Sequence, residues 1–182
     1  MEIKKKTIEG LLEIYPRKLS DNRGWFLESY NKDKFSDLGL HIDFVQDNLS
    51  FSKAGVLRGI HFQISPFEQG KLVKVISGDV LDIAVDLRPE SPTFGRYEKV
   101  VLSADQQNMF FIPPGFGHGF LAITDAHLFY KCTKTYNSQY DTGIAYNDPD
   151  LAIDWTTDTP LISEKDKNLL SFKAYKTSLG LR

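Results

Sequence analysis

His61, Arg58 and Lys71 are the residues of this chain whose types and spacing best match a reaction. They fall in Leu57-Arg58-Gly59-Ile60-His61-Phe62-Gln63 and in Gln69-Gly70-Lys71-Leu72-Val73. A neutral imidazole can take a proton from a carbon beside a carbonyl, and its ordinary pKa of about 6.5 leaves it mostly deprotonated near neutrality. A lysine ammonium on the next strand can hold the enolate oxygen that develops as the proton leaves. Losing one such donor typically costs about 3–4 kcal/mol of transition-state stabilisation. An arginine fork adds a grip for phosphate oxygens. The set points to acid–base chemistry on a phosphorylated or diphosphorylated substrate. The plainer alternatives are a core histidine bonded to a backbone carbonyl and a lysine on a solvated strand edge.

Such a set needs a rigid scaffold, and the flanking sequence predicts strands. Short β-type runs bounded by turn residues are expected at 24–30, 44–51, 56–64, 71–76, 79–87, 97–102, 108–112, 119–123 and 128–132. In 79–87, Leu81, Ile83, Val85 and Leu87 alternate with Asp82, Ala84 and Asp86, giving one greasy face and one acidic face. The simplest reading leaves the acidic face in solvent; the alternative turns Asp82 and Asp86 into a lumen. Ser77-Gly78-Asp79 predicts a hairpin turn between this strand and the preceding one. Helices are expected only at the periphery. Asn31 caps one through Leu38, with Phe35 and Leu38 inward and Gly39 as its stop, and Ser163-Glu164-Lys165-Asp166 starts another. Many strands and little helix predict an all-β jelly-roll barrel or sandwich with a small ligand in its mouth. Arg58 and His61 have opposite parity, so a regular strand sends them to opposite faces; a bulge at Gly59 would realign them.

Composition bounds the class. A chain of 182 residues without repeats or a polar linker suits one domain spanning 1–182. Lysine and arginine number 22 against 24 acidic residues, and a net charge of −2 gives no field for nucleic acid or an anionic membrane. Any anion site must be local. The single cysteine, Cys132, has no partner for an internal disulfide, which fits a reducing cytoplasm. Met1-Glu2-Ile3-Lys4-Lys5-Lys6 is not followed by an apolar run, so neither a leader nor a membrane span is expected.

Barrels of the cupin type often hold a metal through a His-x-His pair, a glutamate and a later histidine. Here the pair reads His61-Phe62-Gln63, the glutamate available is Glu68, and the later histidine is His118 in Pro113-Pro114-Gly115-Phe116-Gly117-His118. Gln63 is a weak ligand for zinc or iron, and Lys71 brings positive charge nearby. No metal is expected.

Longer motifs carry a resemblance. Asp21-Asn22-Arg23-Gly24-Trp25-Phe26-Leu27-Glu28-Ser29-Tyr30, Phe44-Val45-Gln46-Asp47-Asn48, residues 57–63 and 69–73, Asp86-Leu87-Arg88, Ser91-Pro92-Thr93-Phe94-Gly95, residues 112–120 and Tyr130-Lys131 resemble the dTDP-4-dehydrorhamnose 3,5-epimerase family, in order from about Leu12 to Lys167. The resemblance implies a cofactor-free, metal-independent cupin-like jelly-roll homodimer acting in dTDP-L-rhamnose synthesis. It implies that His61 removes the protons at sugar carbons 5 and 3, beside the carbon-4 ketone. Tyr130 would return protons from the opposite face, Asp166 would pair with His61, and Lys71 would steady the enolate. Arg23, Gln46, Asn48 and Arg58 match contacts to diphosphate, deoxyribose or sugar. Tyr136 matches a residue stacking on thymine, and Glu28 one reading the base. His118 lines the sugar pocket, and Asp141 matches an acidic ligand contact. Arg23, Phe26 and Glu28 would reach in from the neighbouring subunit. Tyr146 and Gly117 stand where tryptophan and alanine are usual, with an expected effect on pocket shape. Two other classes share the scaffold: a sugar-nucleotide-binding barrel without catalysis, and a metal-dependent cupin enzyme. A relative inverting only one carbon shares the chemistry, because regiochemistry depends on small displacements of the ring.

Overall fold

The computed structural model describes residues 1–181. In chain order the elements are β1 (Glu2–Lys5), β2 (Leu12–Tyr15), β3 (Lys18–Asp21), β4 (Gly24–Leu27), α1 (Lys32–Asp37), β5 (Gln46–Ser52), β6 (Leu57–Gln63), β7 (Lys71–Ser77), β8 (Asp79–Asp86), β9 (Tyr97–Ser103), β10 (Met109–Ile112), β11 (Phe116–Ala122), β12 (Ala126–Cys132), β13 (Asp141–Gly143), α2 (Glu164–Lys167) and α3 (Phe172–Ser178). All strand pairs are antiparallel. A six-stranded sheet ordered β1-β2-β10-β7-β12-β5 faces a five-stranded sheet ordered β13-β6-β11-β8-β9, and β3 and β4 form a separate ribbon. The fold is an all-β, cupin-like jelly roll with short peripheral helices.

The period-2 pattern explains the layers. Val73 and Val75 of β7, Phe110 and Ile112 of β10 and Leu128 of β12 meet Val80 and Ala84 of β8, Leu102 of β9 and Phe120 of β11 between the two sheets. The opposite face of the five-stranded sheet is also buried. Leu57, Ile60, Leu81, Ile83, Val85 and Leu87 pack under Leu151, Trp155, Phe172 and Tyr175 of the C-terminal segment. Outside the six-stranded sheet, α1 lays Phe35 over Ile14, Leu72 and Met109. The Asn31 side chain accepts the Lys34 N–H and caps α1, which ends at Leu38 before Gly39 at φ +80°. Leu38 itself is 44 % exposed, against the expectation that it packs inward.

Two expectations fail for one reason. Ser77-Gly78-Asp79 is not a hairpin turn, because β7 belongs to the six-stranded sheet and β8 to the five-stranded one. Gly78, at φ +76°, forms the corner where the chain changes sheets, and a Cβ there would collide with the Asp125 carbonyl. The acidic face of β8 therefore points into the molecule. Asp82 and Asp86 are both 0 % exposed, so the lumen reading replaces the solvent reading. The same topology separates β6 from β7. They are consecutive along the chain, yet they lie in opposite sheets, not side by side. The strand expected over 24–30 stops at Leu27.

Candidate active site

The predicted bulge is present on β6. Register runs from His61 opposite His118 to Arg58 opposite Phe120, so Gly59 and Ile60 together face the single residue Gly119. Gly59 sits at φ +120°, and a Cβ there would lie 2.5 Å from the Gly119 Cα. Only glycine fits that approach. The extra residue brings Arg58 and His61 to the same cavity despite their parity.

That cavity, about 480 Å³, opens between the sheets. The five-stranded sheet contributes Arg58 and His61 from β6, His118 from β11 and Asp141 from β13. The six-stranded sheet contributes Gln46 and Asn48 from β5, Lys71 from β7 and Tyr130 from β12, while α2 adds Lys165 and Asp166 at the rim. His61 and Tyr130 thus open into one compartment from different sheets.

His61 Nε2 lies 3.0 Å from Asp166 Oδ1, and the Gly59 N–H donates to Asp166 Oδ2 at 3.3 Å. Asp166 is buried, so its carboxylate spends itself on these two donors. The cap is built from the same turn: Ser163 Oγ accepts the Asp166 backbone N–H, leaving the Asp166 side chain free for His61. With Nε2–H directed at the carboxylate, the Nδ1 lone pair is the basic one. Burial pushes the His61 pKa below 6.5; the Asp166 charge opposes this, and Lys165 and Lys71 reinforce it.

The Lys71 ammonium and the Tyr130 hydroxyl have no hydrogen-bond partner among the described residues. The Lys71 ammonium lies 5.9 Å from the centre of the Tyr130 ring. Burial lowers the Lys71 pKa, opposed by Cys132, Asp82 and Asp141. Burial raises that of Tyr130, so its hydroxyl keeps its proton. Beside them His118 Nε2 contacts both oxygens of Asp82, at 3.0 and 2.9 Å, which fixes the imidazole ring. Burial pushes the Asp82 carboxyl up and its bond to His118 draws it down.

Of the remaining sequence candidates, Arg58 is held by the Ser52 hydroxyl at 3.0 Å and the Phe51 carbonyl at 3.2 Å. Gln46 donates to Asn48 at 3.0 Å and accepts the Tyr136 N–H at 2.7 Å. The Tyr136 hydroxyl and the Lys165 ammonium both donate to Asp141 Oδ2, at 3.3 and 2.7 Å. Arg23, Phe26 and Glu28 are not brought into this cavity. Arg23 is an exposed partner of Asp21, Phe26 is 67 % exposed on the β3–β4 ribbon, and Glu28 pairs with Lys34. Sequence reasoning missed Lys165 as a lining residue; its adjacency to Asp166 on one turn was the available signal. Tyr146 and Gly117 do not line the cavity. Tyr146 accepts the Trp155 indole N–H through its carbonyl, and Gly117 abuts Ile60 and Leu87 in the outer layer. Gln63 is turned to the loop after β12 and Glu68 lies outside the cavity. Among the described residues no three His, Cys, Asp or Glu side chains are grouped to hold a metal ion. No helix among them is long and apolar enough to cross a membrane.

The arrangement can abstract a proton on one side of a bound ring, stabilise an oxyanion and supply a proton on the other side. Comparison with known proteins agrees. The chain is 49 % identical over 168 residues to dTDP-4-dehydrorhamnose 3,5-epimerase of Methanothermobacter thermautotrophicus, covering 90 % of each chain. It is 42 % identical to the dTDP-4-dehydrorhamnose 3-epimerase of Streptomyces niveus, covering 93 % of this chain and 83 % of that one. The crystal structure of dTDP-6-deoxy-D-glucose-3,5-epimerase from Legionella pneumophila in complex with dTDP-4-keto-L-rhamnose superposes with a TM-score of 0.93 at 42 % identity, covering 98 % and 96 % of the two chains. With the profile of the family matching residues 5–174, this chain belongs to the dTDP-4-dehydrorhamnose 3,5-epimerases, isomerases of a sugar nucleotide.

Proposed function

We propose that the cavity converts dTDP-4-dehydro-6-deoxy-D-glucose to dTDP-4-dehydro-L-rhamnose by inverting carbons 5 and 3. The observation that carries this reading is His61 and Tyr130 facing one cavity from opposing sheets, with an unpartnered Lys71 ammonium beside them. His61 Nδ1 takes the proton at carbon 5. The bonding pair moves into an enolate, and the oxygen on carbon 4 gains charge against Lys71. Tyr130 delivers a proton to the other face, after which solvent restores the phenol and the imidazole. The sequence of steps repeats at carbon 3. Arg58 and Lys165 supply the cations for the diphosphate, and Tyr136, 54 % exposed at the mouth, supplies an aromatic face for thymine.

Proton NMR of the substrate in deuterated water tests the reading: deuterium should enter at carbons 3 and 5, and inverted product should follow. Deuterium at carbon 3 alone would assign the single-carbon reaction named for the Streptomyces niveus relative, and no exchange at either carbon would overturn the proposal.

We further propose a homodimer in which Arg23, Phe26 and Glu28 complete the neighbour's site. Two observations support it. Trp25 and Phe26 are exposed on the β3–β4 ribbon, and Leu49 and Phe51 are exposed along β5, the outermost strand of its sheet. Mixing Arg23→Ala with His61→Ala subunits should restore activity to the dimers carrying one of each.

A further inference from the structure

Gln63 stands two residues beyond the proton-abstracting histidine and is 5 % exposed, yet none of its polar atoms faces the cavity. Its amide nitrogen donates to the Phe67 carbonyl at 2.8 Å and to the Thr135 carbonyl at 3.4 Å. Its amide oxygen accepts the Asn137 N–H at 2.6 Å. One residue earlier in the same loop, the Tyr136 N–H is held at 2.7 Å by the Gln46 amide oxygen. Two successive backbone N–H groups are therefore gripped by glutamines from opposite sheets, Gln46 on β5 and Gln63 on β6. The loop has no regular structure of its own between β12 and β13 to fix it. Its Tyr136 hydroxyl then reaches Asp141, which also takes Lys165.

We propose that Gln63 is a positioning residue for nucleotide recognition: it locks the 133–137 loop to the strand carrying His61, so that the Tyr136 ring is presented at a fixed distance from the base. This deepens, and rests on, the reading of Tyr136 as the thymine-stacking residue. The amide is needed because the site asks one side chain to donate on one side and accept on the other, which neither a carboxylate nor an alkyl group does. The strand position that would complete a His-x-His pair is thus occupied by a loop clamp.

Calorimetric titration with thymidine diphosphate, together with steady-state kinetics, separates the possibilities. Gln63→Leu should weaken thymidine diphosphate binding and raise KM by about tenfold or more, while kcat stays within about threefold of the unmodified enzyme, because His61, Lys71 and Tyr130 are untouched. Gln63→Glu, equal in shape, carries a carboxylate that confronts the Phe67 and Thr135 carbonyls. Its affinity relative to the unmodified protein should recover at low pH, where the acid can donate. Tyr136→Ala calibrates the reading beneath: if it binds thymidine diphosphate as tightly as the unmodified protein, the nucleotide assignment fails. If Tyr136→Ala loses affinity but Gln63→Leu keeps it, or if Gln63→Glu shows no pH-dependent recovery, the positioning role is overturned. Should Gln63→Leu fail to fold, the Gln63→Glu pH profile alone decides.

Discussion

Replacing Asp166 by asparagine is the sharpest test of the proposed base. The two carboxylate oxygens accept from two different donors, His61 Nε2 at 3.0 Å and the Gly59 N–H at 3.3 Å. Asparagine has one acceptor and one donor, so it cannot serve both. If its oxygen keeps Gly59, its NH2 donates to His61 Nε2 and forces the proton onto Nδ1, the atom that must receive the substrate proton. If its oxygen keeps His61, two N–H groups confront each other inside a buried site. Either way the imidazole loses its charged partner. An analogous carboxylate-to-amide change behind a catalytic histidine costs about ten-thousandfold through the wrong tautomer. Here a loss of about a thousand- to ten-thousandfold is expected, equivalent to about 4–5.5 kcal/mol at about 1.4 kcal/mol per decade. Asp166→Ala should lose less, about a hundred- to thousandfold, because water can enter and either tautomer can form. Removing the charge that holds the His61 pKa up must also move the acidic limb of kcat/KM to lower pH. Initial rates of deuterium wash-in across pH measure both effects. An asparagine variant within tenfold of the unmodified enzyme, or an acidic limb moving upward, would refute the tautomer argument.

Further expectations concern the other groups. Tyr130→Phe should retain proton removal by His61 but lose opposite-face return, lowering inverted product by about a hundred- to ten-thousandfold while some wash-in persists; equal loss of both would count against the phenol as the acid. Lys71→Met should cost about 3–4 kcal/mol in kcat/KM with fold stability unchanged or increased, since a half-buried cation without a side-chain partner is removed. In the unmodified enzyme the acidic limb of kcat/KM should fall below pH 6.5, because burial disfavours the imidazolium; a limb above that value would contradict the burial of His61. Gly117→Ala should lower unfolding stability in urea by about 1–3 kcal/mol, because the new methyl meets the Ile60 and Leu87 side chains.

Much of the scaffold was legible because β-type runs stand out between turn residues, whether they alternate cleanly, as in β8, or are apolar throughout, as in β10. The strands that escaped notice are short or polar: β1 and β3 are largely exposed, β2 has four residues and β13 has three. Helix α3 also escaped, although Ser171 caps it and Phe172 and Tyr175 are its buried pair. The Ser77-Gly78-Asp79 turn could not be resolved locally, since a hairpin and a sheet-to-sheet corner share the same glycine chemistry, and only pairing partners distinguish them. The burial of Asp82 followed from that corner, with His118 as the partner that stabilises a carboxylate there. At the site, the Gly59 bulge was readable from a conflict of parity between Arg58 and His61. Lys165 was readable only through its neighbour Asp166, because its role depends on where a single helical turn docks.

The corner at Gly78 has a consequence for how this reaction could drift. Because the proposed base and acid hang from different sheets, the gap between them is a spacing of layers, set by the bulk of residues such as Val75, Val80, Leu102 and Phe110. Trimming or enlarging those apolar spacers would act as a gauge on the reactive centre without altering any polar group, and so could tune which ring carbon is reached.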